Sequence, residues 1–158
     1  MKKLPDRMET MVKNLLGSDG KQIGRDAEGF QKKFESYLVN DSIYASDDGA
    51  DYTTSALVAK YLKALSDSGY NADVEFATDK SLIFSDGSYY MRGLITLTVY
   101  NYDNQTDLSC LMPVEIKKGE SIQFVSDIAF IYGNETRLPE DIRICSIENI
   151  KLLGEEGE

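Results

Sequence analysis

Apolar residues in the first part of the chain recur at intervals of three and four. Met8, Met11, Val12, Leu15 and Leu16 share one helical face between Pro5 and Leu16. Gly17 reads as the C′ residue that stops this helix, and Ser18 to Gly24 reads as a flexible turn rich in Gly and Asp. A second amphipathic stretch follows. Asp26 is its N-cap, Ala27, Phe30, Phe34, Tyr37 and Leu38 lie on one side, and Asn40 and Asp41 end it. A third helix starts at Thr53 or Thr54, buries Leu57, Val58, Tyr61, Leu62 and Leu65, and closes at Ser68-Gly69.

After Gly69 the period falls to two. Val74 and Phe76 begin a strand, and the strands Ser81 to Phe84 and Ser88 onward flank Asp86-Gly87, a hairpin signal because the tight turn needs positive φ. The longest alternating run is Tyr89 to Tyr102, with Ile95, Leu97 and Val99 on one face and Thr96, Thr98 and Tyr100 on the other. The segment YDNQTD breaks it as a turn. CLMPVEIKKGESIQFVSDIAFI, from Cys110 to Ile131, then reads as two strands about Lys117-Lys118-Gly119-Glu120. Met112, Val114, Ile116, Ile122 and Phe124 are its inward positions, and Pro113, which lacks an N–H, belongs at an edge or a bulge. Near the C-terminus, Ile142, Ile144, Ile147 and Ile150 fit a short strand plus turn or a helix, after a restart at Pro139. Helices first and antiparallel strands afterwards predict an α+β fold, with N-terminal helices packed on the concave side of a curved antiparallel sheet.

The chain has 158 residues and a net charge of −10. That length suits one domain with a proper core, and that charge works against direct nucleic-acid binding. The charge is uneven, +3 over Met1 to Lys33 and −13 beyond. This pattern suits a solvated face and is compatible with a nearby membrane surface. No apolar run reaches the length of a membrane span, and the lysines at the start precede no apolar signal core.

There is no histidine, which removes the commonest general base, the commonest metal ligand and every Ser-His or Cys-His nucleophile. Cys110 and Cys145 make no metal-binding or Cys-x-x-Cys spacing and read as buried free thiols, with a single disulfide between them as the alternative. Asp47, Asp48 and Asp51 lack the spacing of a calcium loop and read as solubilising. Tyr89, Tyr90, Tyr100 and Tyr102 gather near the long strand. A tyrosine beside a protonated carboxyl could polarise a carbonyl, but no acid is placed by sequence to complete such a site, so packing is the expected role. Asn40, Asn104 and Asn134 begin glycosylation-type triplets that mark loops. No catalytic, cofactor-binding or metal-binding residue is predicted.

The stretches AEGFQKKFESYLVND and ALVAKYLKAL resemble the helical opening of extracytoplasmic domains in TcpC-type conjugation proteins of Gram-positive bacteria. CLMPVEIKKGESIQFV resembles their closing hairpin, with Pro113 in a Met-Pro-Val step before a turn and a final strand. The resemblance runs from about Arg25 to Tyr132. It implies a nuclear transport factor 2-like, or cystatin-like, cone, similar to the assembly component of VirB-type secretion machines. It divides the chain into an N-terminal amphipathic helix and linker (1–24), an α+β domain (25–133) and a C-terminal extension (134–158). It also implies a non-enzymatic domain without cofactors in a cell-envelope assembly, a conjugative DNA-transfer channel. That domain would stand on the outer side of the cytoplasmic membrane, bind copies of itself or other channel components, and reach the membrane through an upstream anchor. The alternatives are a ligand binder or isomerase-like enzyme using the pocket of the same fold, or an acidic cytosolic immunity protein whose charge suits a basic partner.

Overall fold

The computed structural model describes residues 3–39, 43–45, 51–85, 87–103, 106–109, 111–133 and 138–153. Three helices open the chain: α1 (Lys3–Gly17), α2 (Gly20–Arg25) and α3 (Ala27–Tyr37). A small hairpin of β1 (Ile43–Ala45) and β2 (Asp51–Thr53) leads into α4 (Thr54–Asp67). The sheet follows as an antiparallel meander in the order β3 (Asn71–Ser85), β4 (Ser88–Asn101), β5 (Ser121–Tyr132) and β6 (Ile142–Leu152). The chain is thus α+β, with its N-terminal helices laid on one face of an antiparallel sheet that shifts register in β3 and between β5 and β6. No helix among the described residues is long and apolar enough to cross a membrane.

The helical faces are the expected ones except in α3, where Ala27 is exposed and the helix ends at Tyr37, before Leu38 and Asn40. Met8, Met11, Val12, Leu15 and Leu16 of α1 are 0–4% exposed. Burying each contributes about 1.5–3 kcal/mol, so α1 is part of the core. Ile142 and Ile144 of β6 belong to the same apolar cluster, so residues 24/25 and 133/134 mark no break in it. Asp26 accepts from Gly29 N at 3.1 Å, and Thr53 Oγ1 accepts from Ala56 N at 3.2 Å, which caps α3 and α4.

Two local expectations give way. Residues 18–24 are not a flexible turn. Asp19 caps α2 by accepting from Lys21 N, and Ile23 anchors it in the core. Gly17 has no positive φ and lies within α1. A side chain there would meet Val74 Cγ2 at 2.9 Å, so glycine serves the close approach of α1 to β3. The carbonyls that end α1 are satisfied instead by side chains. Ser18 Oγ donates to Asn14 O at 2.6 Å, Tyr61 Oη to Leu15 O at 2.7 Å, and Tyr70 Oη to Leu16 O at 2.5 Å.

The largest correction falls on the Cys110–Ile131 hairpin. Its second strand is β5, and its turn holds, with Gly119 at φ 85° and Gly119 N donating to Val99 O. Its first strand does not form. The described residues from Leu111 to Glu120 are turn and irregular backbone, held down by the buried side chains of Met112 and Ile116. The reason is occupancy: β4 pairs with one edge of β5 and β6 with the other, so no edge is left for residues 111–116. The C-terminal isoleucines supply that β6 partner. Pro113 sits in the loop, not in a ladder.

Candidate interaction surface

The sheet protects its two edges unequally. On the β6 side, Leu38 bridges Ile144, Val39 N donates to Ile144 O, and Arg143 Nη1 donates to the carbonyls of Glu35 and Leu38 at 3.0 and 2.9 Å. The end of α3 is thereby tied across that edge. On the other side, β3 pairs with β4 alone among the described residues.

The last residues of this open edge are apolar. Leu82 pairs with Met91 and Phe84 with Tyr89, so by strand alternation both lie on the core face of the sheet, beside buried Met91 and Phe130. Helical cover stops short of them: Leu82 is 42% and Phe84 62% exposed. Ile83, on the opposite face, is 63% exposed. The Phe84 ring lies 4.8 Å from that of Tyr89, which stacks on Phe130 at 5.7 Å and meets Tyr132 edge-on at 5.6 Å. The result is an aromatic ledge, buried at Phe130, half-buried at Tyr89 and Tyr132, and open at Phe84.

The other chemistry is scattered. Tyr100 donates to Asp73 at 2.8 Å on the surface, and this hydrogen bond to the carboxylate raises the phenol's pKa. Tyr102 donates to Thr106 O. Tyr89 and Tyr90 face opposite sides of β4. The four tyrosines therefore form no common site. Tyr61 was readable only as a helix-stripe residue and Tyr70 carried no reading, yet both hydroxyls are buried under α1. Their carbonyl partners are 46 and 54 residues away in the chain.

Asp127, on the sheet's outer face, is held below the ordinary carboxylate range, chiefly by its hydrogen bond from Arg92, whose Nε lies 2.8 Å from Oδ1. Asn149, at φ 54°, adds a donor to Oδ2 at 2.9 Å. This is an ionised structural carboxylate. It lacks the raised pKa of a proton donor.

The face of the sheet under α1 is filled by that helix's apolar side chains. Two open depressions of about 650 and 730 Å³ flank Val114, one beside Leu108 and one beside Ile122. A smaller cavity of about 230 Å³ lies between Leu16, Leu38, Leu111, Met112, Ile144 and Ile147. Cys145 on its wall is free and half-buried, and burial pushes its thiol pKa up, away from reactivity. No group of three or more potential metal ligands occurs among the described residues. Cys110, Asp47, Asp48, Asn40, Asn104 and Asn134 lie outside the described residues, as does the side chain of Asp51.

No family model and no curated protein matches the chain. Among solved structures, it is similar to a conserved protein from Planctomyces limnophilus DSM 3776, at 8% identity and a TM-score of 0.42, over 84% of this chain and 93% of that one.

Proposed function

We propose that this chain is a non-enzymatic protein-interaction domain that docks through the end of β3. The observation that carries this is the run Leu82-Ile83-Phe84, exposed on a sheet edge that no strand among the described residues covers and continuous with aromatic rings inside. Natural sheets normally protect such an edge with charge, proline or a covering element, as this one does along β6. Leaving it open costs solubility, and a partner restores what solvent contact loses. The dispersed tyrosines, Tyr100 on Asp73 and Tyr102 on Thr106 O among them, favour packing over a common site.

The test is photo-crosslinking in the native cell, with a photoreactive phenylalanine at position 84 and a control at Lys63, an exposed site on α4. Discrete adducts from position 84 alone support docking by the ledge. Equal labelling from both positions overturns it.

The finer reading places the domain in a conjugative DNA-transfer channel outside the cytoplasmic membrane, binding itself or other channel proteins near an upstream anchor. It draws on the resemblance in residues 25–65, since the segment likened to a hairpin strand is irregular here. Its measurement is DNA transfer by the native host carrying Phe84→Glu. Reduced transfer at unchanged protein level supports the reading, and normal transfer rejects it.

A further inference from the structure

We propose that the small cavity beside β6 binds an uncharged aliphatic chain that ends in a hydroxyl group. The cavity lies on the β6 side of the sheet, away from the ledge on β3, so this site exists whether or not the ledge docks a partner. Four parts of the chain supply its walls: Leu15 and Leu16 from α1, Leu38 after α3, Met112 from the irregular segment, and Ile144 and Ile147 from β6. None of its lining residues is charged. Such walls give a water few of the two to four hydrogen bonds that hold it, so they suit an apolar guest. An apolar cavity of about 150 Å³ takes up benzene. On that scale the volume of about 230 Å³ here holds roughly nine heavy atoms, a single chain of about eight carbons and one oxygen.

The rim selects the end group. Ser109 is exposed, Ser146 is half-buried, and both touch the cavity. Ser109 N donates to Asp107 Oδ1 at 2.8 Å, and Ser146 Oγ donates to Glu148. Each serine therefore has a carboxylate beside it, on a chain of net charge −10. Arg143, next to Ile144, directs its Nη1 to the carbonyls of Glu35 and Leu38. A carboxylate headgroup would approach against two like charges, whereas a hydroxyl carries no charge and both donates and accepts. The cavity itself gives the guest its hold. Interiors are otherwise close-packed, and an apolar void destabilises in proportion to its volume. A chain that fills the void restores the missing contacts. Leu111 to Pro113 form a wall of turn and irregular backbone, outside the sheet ladder, and such segments open most easily to admit a guest.

The experiment is NMR titration of the full chain with 1-butanol, 1-hexanol, 1-octanol and 1-decanol, and with octanoate at neutral pH. Binding is expected to saturate at one site, with the largest amide shifts around Leu16, Leu38 and Ile144. Affinity should rise about fourfold per added carbon up to octanol, and stop rising by decanol because the cavity is then full. Octanoate should bind at least about tenfold more weakly than octanol. Ile147→Phe puts a ring into the cavity and should weaken octanol at least about tenfold, roughly the loss of two buried carbons. Circular dichroism checks its fold, and Leu111→Phe fills the cavity from another wall. Phe84→Glu, on the ledge, should leave octanol binding unchanged. Absence of saturable octanol binding overturns the proposal. So does affinity still climbing at decanol, which marks a surface with no end wall. Binding that both filling variants leave unchanged, or that Phe84→Glu removes, puts the alcohol elsewhere and also overturns it. Octanoate binding as tightly as octanol does the same, since it contradicts the selection by Asp107 and Glu148.

Discussion

The Tyr70 hydroxyl donates to the carbonyl of Leu16 at 2.5 Å, with the whole tyrosine side chain buried. Tyr61 does the same for Leu15 at 2.7 Å. Two tyrosines thus finish a helix that ends in a glycine without a left-handed turn. Tyr70→Phe keeps the ring and strands a buried carbonyl, at an expected cost of about 1–3 kcal/mol. Tyr61→Phe should cost a similar amount. The double variant should fall short of the sum if residual water can enter once the end of α1 loosens. Chemical denaturation of the three variants measures this.

Tyr70 also makes stability pH-dependent on the alkaline side. Burial raises its pKa above the ordinary value of 10.0. The neutral phenol is the form the fold favours, so its contribution is complete below about pH 10 and is lost as pH rises towards the folded value. Wild type should lose stability steeply above about pH 10, and Tyr70→Phe should lose it less steeply. Equal slopes would show that the phenol ionises as easily in the fold as out of it.

The acid side belongs in part to Asp127. Its pKa is lowered from 3.8, first by the hydrogen bond from Arg92. Its contribution is present above the ordinary carboxylate value and disappears as pH falls through the lower folded value. Arg92→Ala should raise the Asp127 pKa, as read by NMR titration. Because the Arg92 side chain is 62% exposed, the stability loss near neutral pH should stay within about 1 kcal/mol.

Two glycines separate crowding from backbone strain. A side chain at Gly20 would lie 2.3 Å from Leu65 O, which is backbone and cannot move aside cheaply. Gly20→Ala should cost about 3 kcal/mol or more, the upper end of overpacking. Gly87 has open space but sits at φ 83°, so Gly87→Ala should cost only about 1–2 kcal/mol, the left-handed penalty. A reversed order in thermal melts would contradict the close approach of α2 to α4.

Ser126 supplies the opposite sign. Its Oγ is buried with no partner, on the core face opposite Gly93. Removing an unsatisfied hydroxyl spares its desolvation cost. Ser126→Ala should be neutral or stabilising by up to about 1 kcal/mol. Clear destabilisation in a urea titration would mean the hydroxyl has a partner.

Most of the fold could be read from the sequence where one residue set determined the outcome. The α1 and α4 stripes, Phe34 and Tyr37 of α3, the Asp26 and Thr53 caps and the Ile95-Leu97-Val99 face are local patterns, and each is realised. The misreadings came where distant chain decides. Residues 111–116 alternate like a strand, but β6 had already taken the edge they needed. Gly17 looks like a cap until Val74 is beside it. The ledge was only half visible: LIF beside Asp-Gly marks a hairpin, but its exposure depends on where α1 stops covering the sheet. The Tyr61 and Tyr70 hydrogen bonds had no local signal at all.

The tyrosine clamps impose an order on synthesis. Leu15 and Leu16 leave the ribosome first, and the hydroxyls that finish their helix follow 46 and 54 residues later. At about 5–20 residues per second that is a wait of roughly two to eleven seconds. Through that interval the apolar stripe of α1 lacks the strands that receive it, which are made later still. The α1 stripe therefore cannot reach its final packing until β3 has been made, although α1 precedes β3 in the chain.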